Sequence, residues 1–295
     1  MTGPATLRLE LTPPAPFRLP HFVGRDGVVR RRPGGVLERV LHPFGEPVVV
    51  RAAQPAPDRV VLGAWAPDGP AAARALERTR FFLGVDEDPR PFLREYGRDP
   101  LIGASVRRRP WLRAHRRADP FEALAFAICE QLIDYERAAA IERRLVARFG
   151  RRCARTGLRD APVAAALADA APAQLESFDL APARAITLVR AAREVARGRV
   201  ELEGDGERAE RRLAAIPGIG TWTLDVLAIS GLGRLDRVAA GDLGLLKAVG
   251  RWLGGGDPAA RATESQVREL LAPYGGWRAL AGAHLLAGAL TGPAY

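Results

Sequence analysis

The sequence predicts an α+β fold: an N-terminal antiparallel sheet with helices, followed by an all-helical region. Two patterns predict it. Up to about residue 65, apolar and polar residues alternate in short runs, as with Leu7, Leu9 and Leu11 against Arg8, Glu10 and Thr12. After Arg107 the apolar spacing becomes helical, with explicit start and stop residues. A third observation orders the helical half. Ile216-Pro217-Gly218-Ile219-Gly220 lies between two amphipathic runs, so the chain must turn sharply there from one helix into the next.

Strands are expected at 7–11, 27–30, 36–41, 48–52 and 59–63, separated by Gly34-Gly35, Gly45, Pro55 and Pro57. Helices are expected at 70–83 and 91–96. The helical half opens at Asp119-Pro120-Phe121-Glu122. Asp119 is placed to cap, Pro120 to take the first helical position where its missing N–H costs nothing, and Glu122 to reach back and complete a capping box. The apolar face then reads Phe121, Leu124, Ile128, Leu132. Further helices are expected at 136–149, 162–170, 182–197, 206–215, 221–229, 242–253, 264–271 and 277–290. Pro162 and Pro182 suit first turns, while Gly150, Gly198 and Gly254-Gly255-Gly256 act as stops. The organisation expected is a domain at 1–105 and a helical region at 106–295, with the hairpin at 213–229 and a loop at 238–243.

Composition narrows the partners. The chain has 295 residues, 47% of them hydrophobic, and no apolar run near the ~20 residues of a membrane span. No signal peptide is visible at residues 1–4, so a cytoplasmic location is expected. A net charge of +10 and a pI near 10.8 favour a polyanion, nucleic acid first. Cys129 and Cys153 lack the count and spacing of an iron–sulfur or zinc site, and His21, His42, His115 and His284 are scattered, so no metal site is expected. Arginine supplies nearly all the positive charge, Lys247 being the sole lysine. The arginines at 107–109, 113, 116–117, 143–144 and 151–152 are candidates to track phosphates, a minority of them in contact.

Chemistry concentrates at the turn. Gly218 and Gly220 can take positive φ and let a phosphate reach bare amides beside the positive end of the next helix. Asp242 lies 22 residues beyond Gly220, enough for a helix and a return loop, so its carboxylate is placed to face whatever strand the turn holds. Its plainer role is to cap the following helix.

The string from Leu213 to Thr223, the segment Asp242-Leu243-Gly244-Leu245, and Phe121-Glu122-Ala123-Leu124 with Gln131-Leu132 resemble the helix-hairpin-helix DNA glycosylase superfamily. Within it the likeness is to the bacterial 3-methyladenine DNA glycosylase II (AlkA-type) branch. The resemblance runs from about Pro120 to the end and more loosely over the N-terminal part. It implies an all-α helix-hairpin-helix glycosylase bundle and a hydrolysis that releases alkylated purines from double-stranded DNA in base excision repair. Asp242 would stabilise the oxocarbenium-like sugar and orient water; a base such as 3-methyladenine, already cationic, leaves without an acid.

The same resemblance assigns the remaining residues. Gly218, Ile219, Gly220 and Thr221 would hold the backbone, and Gln131 with Leu132 would fill the gap left by the flipped nucleotide. Leu132 also falls on the apolar stripe, so a core role stands beside the wedge. Glu130 and Asp134 are acidic and would oppose a close phosphate. Trp222 and Trp277 would line the base pocket with π-faces suited to a cationic base. Val226 replaces the family's tyrosine four positions after the tryptophan, which thins that cage. Trp222 stands where bifunctional relatives carry the Schiff-base lysine, and Lys247 points away from Asp242, so a monofunctional enzyme leaving an abasic site is implied. An oxidised-base glycosylase with lyase activity and a non-catalytic damaged-DNA-binding module are the alternatives. No cofactor is implied beyond a monovalent cation held by the hairpin carbonyls. The protein would act as a monomer, associated with the nucleoid and with no membrane partner.

Overall fold

The computed structural model describes residues 5–20, 25–204 and 206–289. The expectations at residues 1–4, His21 and Leu290 lie outside them. Five strands, β1 (Ala5–Leu11), β2 (Val29–Arg31), β3 (Leu37–Leu41), β4 (Val48–Ala56) and β5 (Arg59–Ala66), form one antiparallel sheet in the order β1-β5-β4-β3-β2. The sheet is as the alternation predicts, with one change. Pro55 does not end β4; the strand runs on to Ala56 through a register shift between Ala53 and Ala56, the kind of irregularity at which a strand tolerates proline.

Helix α1 (Gly69–Leu83) packs on one face of the sheet. Its first turn is capped by Asp68, which accepts from Ala71 N at 2.8 Å, and it ends at Gly84 with φ 63°. The other face is covered by the segment around Cys153 and Leu158, which pack with Val40 and Val49.

Helices α2 (Arg90–Tyr96) and α3 (Gly103–Arg108) follow, the second unpredicted. A division at residue 105 would cut α3. Phe92, Ile102 and Val106 instead share a core with the C-terminal helices α11 (Leu243–Leu253), α12 (Glu264–Leu271) and α13 (Arg278–Ala289). The chain therefore closes on itself: residues 90–108 join the last third of the sequence.

Between the sheet and that core lies α4 (Pro120–Glu130), buried from Pro120 to Cys129. A helix apolar on all sides belongs at the centre of a bundle. Around it stand α5 (Tyr135–Phe149), α6 (Ala164–Ala168), α7 (Pro172–Glu176), α8 (Pro182–Ala196), α9 (Gly206–Ala214) and α10 (Thr221–Val226). Asp119 caps α4 as expected, accepting from Phe121 N at 2.8 Å. Glu122 does not complete the capping box; its buried carboxylate is bonded to Arg39. The helix expected at 162–170 shortens to α6: Pro162 precedes the cap residue Val163 and is not in the first turn, and the helix stops before Pro172, which disfavours helical backbone just before it and opens the unpredicted α7. The helix expected at 221–229 changes from α to π at Leu227–Gly231, a widening that often marks a functional position.

Candidate active site

The hairpin is built from the inside. Ile216 and Ile219 are buried and anchor it in the core beneath. Pro217, Gly218 and Gly220 stay on the surface. Gly218 has φ 94°, and a Cβ there would meet Thr187 Oγ1 at 2.4 Å, so both conformation and space demand glycine. Gly220 corrects the sequence reading. Its φ is −99° and ψ −179°, ordinary extended backbone with nothing within 4 Å of an added Cβ. It precedes the first turn of α10 and has no side chain to cap it, which leaves those amides to an outside acceptor. Thr221 is exposed at that turn, whereas Ile219 can offer only its backbone.

Two carbonyls of the hairpin are already engaged by side chains. Thr187 Oγ1 donates to Pro217 O at 2.8 Å, and Gln131 Nε2 donates to Gly218 O at 2.8 Å. A monovalent cation would have to draw on other carbonyls of the turn, and no step below depends on one.

Gln131 follows the last residue of α4, and Leu132 then takes φ 55°. The apolar-stripe reading of Leu132 is overturned: it is 92% exposed, because the helix ends two residues earlier and the chain turns outward. The acidic neighbours are also otherwise employed. Asp134 caps α5 by accepting from Arg137 N at 3.0 Å, and Glu130 faces Arg117 at 3.4 Å.

Asp242 sits immediately before α11 and does two things. Its Oδ1 accepts from Leu245 N at 3.0 Å, which fixes the carboxylate as an N-cap. The same half-buried side chain also lines a cavity of about 210 Å³ between the central bundle and the C-terminal core. Gly244 makes room for it, since a Cβ there would lie 2.9 Å from Asp242 Oδ1. The cavity wall is largely apolar and built from small residues at helical spacing: Ala123 and Ala127 on α4, and Ala279, Gly282 and Ala283 on α13, with Phe126, Val226 and Ile229. Its polar groups are Asp242, Glu130, His115, Arg117, Ser230 and Arg278. His115 is exposed where the cavity opens; crowding by the surrounding protein and the charge of Arg117 lower its pKa, so it is mainly neutral at pH 7.

Neither expected tryptophan is in that wall. Trp222 is half-buried behind it, with Cδ1 placed 3.5 Å from where a Gly241 Cβ would stand. It thus braces the backbone just before Asp242. Trp277 packs in the C-terminal core, 5.9 Å from the Phe92 ring. Val226, singled out as a departure, does face the cavity. The sequence reading missed Glu130, His115 and Arg278 as lining groups. The small-residue stripes on α4 and α13 were the available signal. Lys247 is exposed and outside the lining, as helical geometry predicts.

The arginine clusters named from the sequence mostly serve the fold. Arg113, Arg143, Arg144 and Arg151 donate to backbone carbonyls, Arg116 pairs with Glu87, and Arg117 is buried among carboxylates. A different set borders the hairpin. Arg190, Arg193, Arg197, Arg208, Arg211 and Arg212 line a groove of about 730 Å³ between α8 and α9 that reaches Ile216 and Pro217, with Glu194 the acidic residue among them.

A model of the HhH-GPD superfamily of base excision DNA repair proteins matches residues 125–273, which hold the end of α4, the hairpin and Asp242. The chain belongs to that superfamily. This HhH-GPD protein is 31% identical over 251 residues to a probable bifunctional transcriptional activator/DNA repair enzyme AlkA of Mycobacterium tuberculosis, a match that covers 81% of this chain and 50% of the relative. It is 30% identical over 170 residues to DNA-3-methyladenine glycosylase 2 of Escherichia coli, covering 55% of this chain and 56% of that one. The chain spans about half the length of the curated relatives it matches. Among solved structures it is similar to a 3-methyladenine DNA-glycosylase from Archaeoglobus fulgidus, with a TM-score of 0.79 and 23% identity over 95% of this chain and 97% of the other. That likeness is one of fold, and it takes in the N-terminal sheet of this HhH-GPD protein as well as its helices.

Among the described residues of this superfamily member, no helix is long and apolar enough to cross a membrane.

Proposed function

We propose that this protein is a monofunctional DNA glycosylase that hydrolyses the N-glycosidic bond of alkylated purines, of the 3-methyladenine class, in double-stranded DNA. The observation that carries the reading is Asp242: one carboxylate, held by a backbone amide, on the wall of a cavity of about 210 Å³. That volume falls below the ~300 Å³ at which drug-sized pockets begin, and suits one flipped base. The names of the relatives in Mycobacterium tuberculosis and Escherichia coli point the same way.

In the mechanism, the amides at Gly218, Gly220 and Thr221 hold the phosphates of the damaged strand, and the arginine groove beside Pro217 continues that path. Leu132 enters the duplex and occupies the place of the flipped nucleotide, recovering part of the few kcal/mol of unstacking. The base enters the cavity, and Asp242 stands beside the sugar. As the bond to the base breaks, positive charge grows on the sugar and the fixed carboxylate stabilises it; water then adds at C1′. Trp222 and Trp277 support the site from behind. Asp242 can remain a cap throughout, since its second oxygen is left for the sugar and water.

Trp222 offers no amine for a Schiff base, which speaks against the lyase reading. The protein is proposed to act as a monomer, at the nucleoid. Incubation with methylated duplex DNA tests this: free methylated purine should appear with no borohydride-trapped adduct. A trapped adduct would make it a lyase, and binding without release a sensor of damage.

A further inference from the structure

The cavity wall carries a second carboxyl that the hydrolysis above does not use. Glu130, at the end of α4, is half-buried on that wall, and its Oε1 lies 3.4 Å from Arg117 Nη2. Behind it on α5 stands Glu142, 2% exposed, with Oε2 at 3.8 Å from the same nitrogen. Arg117 also holds Asp26 and faces Glu122 at 3.8 Å, while Arg39 is shared between Glu122 and Asp160. Asp26, Glu122, Glu130, Glu142 and Asp160 thus surround two guanidiniums in a largely dry interior. Carboxylates so crowded cannot all ionise, so the group retains a proton.

Resting on the glycosylase reading, we infer that Glu130 is a proton donor to the base in the cavity, supplied from Glu142, and that the substrates therefore include purines without a formal charge. Glu130 gives its proton to a ring nitrogen remote from the sugar. The C1′–N9 bond breaks, its electron pair goes to the base, and the base leaves as a neutral purine. Water adds to C1′ beside Asp242, and the proton it releases restores the Glu130–Glu142 pair. A cationic base needs no such proton, so Asp242 suffices for it.

The proton is held where this requires. Burial raises both carboxyls; Arg117 and the neighbouring Glu142 draw Glu130 partly back down while the charge of Asp242 raises it, and Glu142 is pushed up to about 9, so Glu142 is the reservoir from which Glu130 is supplied. The charged or titratable groups around Glu130 are Arg117 and His115 before α4, Cys129 beside it on α4, whose thiol burial and the two glutamates push well up, Glu142 on α5, Arg184 on α8, Asp242 before α11 and Arg278 on α13. His115 is neutral and the arginines stay charged, so alkaline loss of the donor belongs to the glutamate pair.

The test is single-turnover base release from duplexes carrying one hypoxanthine, which is neutral, or one 7-methylguanine, which is cationic. Wild type, Glu130→Gln and Glu130→Asp are compared from about pH 6 to about pH 9. Wild type should release both bases. Glu130→Gln should lower the hypoxanthine to 7-methylguanine rate ratio by about 100-fold, the lower end for a general acid, and remove the alkaline decline of the hypoxanthine profile. Glu130→Asp should restore part of the ratio. An equal loss on both substrates, or a wild type that releases 7-methylguanine alone, would overturn the inference and leave the glycosylase reading standing. Release of neither base overturns both.

Discussion

The side-chain nitrogen of Gln131 donates to the Gly218 carbonyl and to Thr223 Oγ1, each at 2.8 Å. The loop that presents Leu132 and the turn with the positive-φ glycine are therefore one mechanical unit. A strand gripped at the hairpin is at a fixed offset from the residue proposed to enter the duplex.

Leu132 sits at φ 55° with 92% of its surface exposed. A non-glycine residue in the left-handed region costs about 1–2 kcal/mol. Leu132→Gly relieves that strain, partly offset by the freer unfolded chain, so melting should stay level or rise slightly. Base release should fall about tenfold, as expected if the side chain contributes ~1.4 kcal/mol to the flipped state. Thermal melts and single-turnover assays on one preparation check both halves. A core residue would give the opposite pattern, a lower melting temperature.

The two glycines of the hairpin should separate cleanly. Gly218→Ala forces a Cβ to 2.4 Å from Thr187 Oγ1 at a φ of 94°, and should destabilise the fold by about 2 kcal/mol or more. Gly220→Ala adds a methyl in open space at extended backbone, and should shift stability by less than about 1 kcal/mol. It should still weaken DNA binding, because that methyl stands where a phosphate would approach. Melting temperatures and titrations with duplex DNA distinguish the two.

If the groove between α8 and α9 follows the phosphate backbone, Arg190→Ala and Arg197→Ala should each weaken binding similarly for all DNA sequences. Each should also reduce the slope of log affinity against log salt by about 1. Titrations at several salt concentrations measure this, and an unchanged slope would remove the groove from the DNA path.

Buried titratable groups set the pH range of stability. Glu142 has its folded pKa pushed up to about 9 by burial and by Glu130, so the folded state holds a proton that the unfolded chain has lost above ~4.3. The stability linked to it is complete below that value and is lost as pH rises through about 9. Glu142→Gln keeps the shape without titrating. Between about pH 6 and pH 9 the wild type should lose at least ~1 kcal/mol relative to the variant, or ~2 °C in melting temperature. His284 acts at the other limit: burial, with Arg109 and Arg113 nearby, pushes it down to about 4. Its contribution is present above ~6.5 and is lost as pH falls through about 4.

Much of the architecture is legible in the residues themselves. Alternation places all five strands, and Asp119, Pro120, Pro182 and Asp242 mark helix starts because capping is a local event. The failures are non-local. Glu122 has the spacing of a capping-box partner, but it answers to Arg39, 83 residues away in the sequence. Leu132 continues a helical stripe on paper, yet the helix has already ended. The union of α2 and α3 with the last three helices depends on chain closure, which no local pattern encodes. At the site, Asp242 and Gly218 stand out by residue type, whereas the small residues that hollow out the cavity resemble ordinary helix interior. Trp222 and Trp277 draw attention by size, and both stand behind the wall.

The central claim is that Asp242 acts on the sugar of a base lodged in the adjoining cavity. Single-turnover release of 7-methylguanine by Asp242→Asn, with duplex affinity measured alongside, tests it most directly. Asparagine still accepts from Leu245 N, so the fold and the affinity should persist while release falls by on the order of 100-fold or more. A variant that binds and releases base at the wild-type rate would contradict the account.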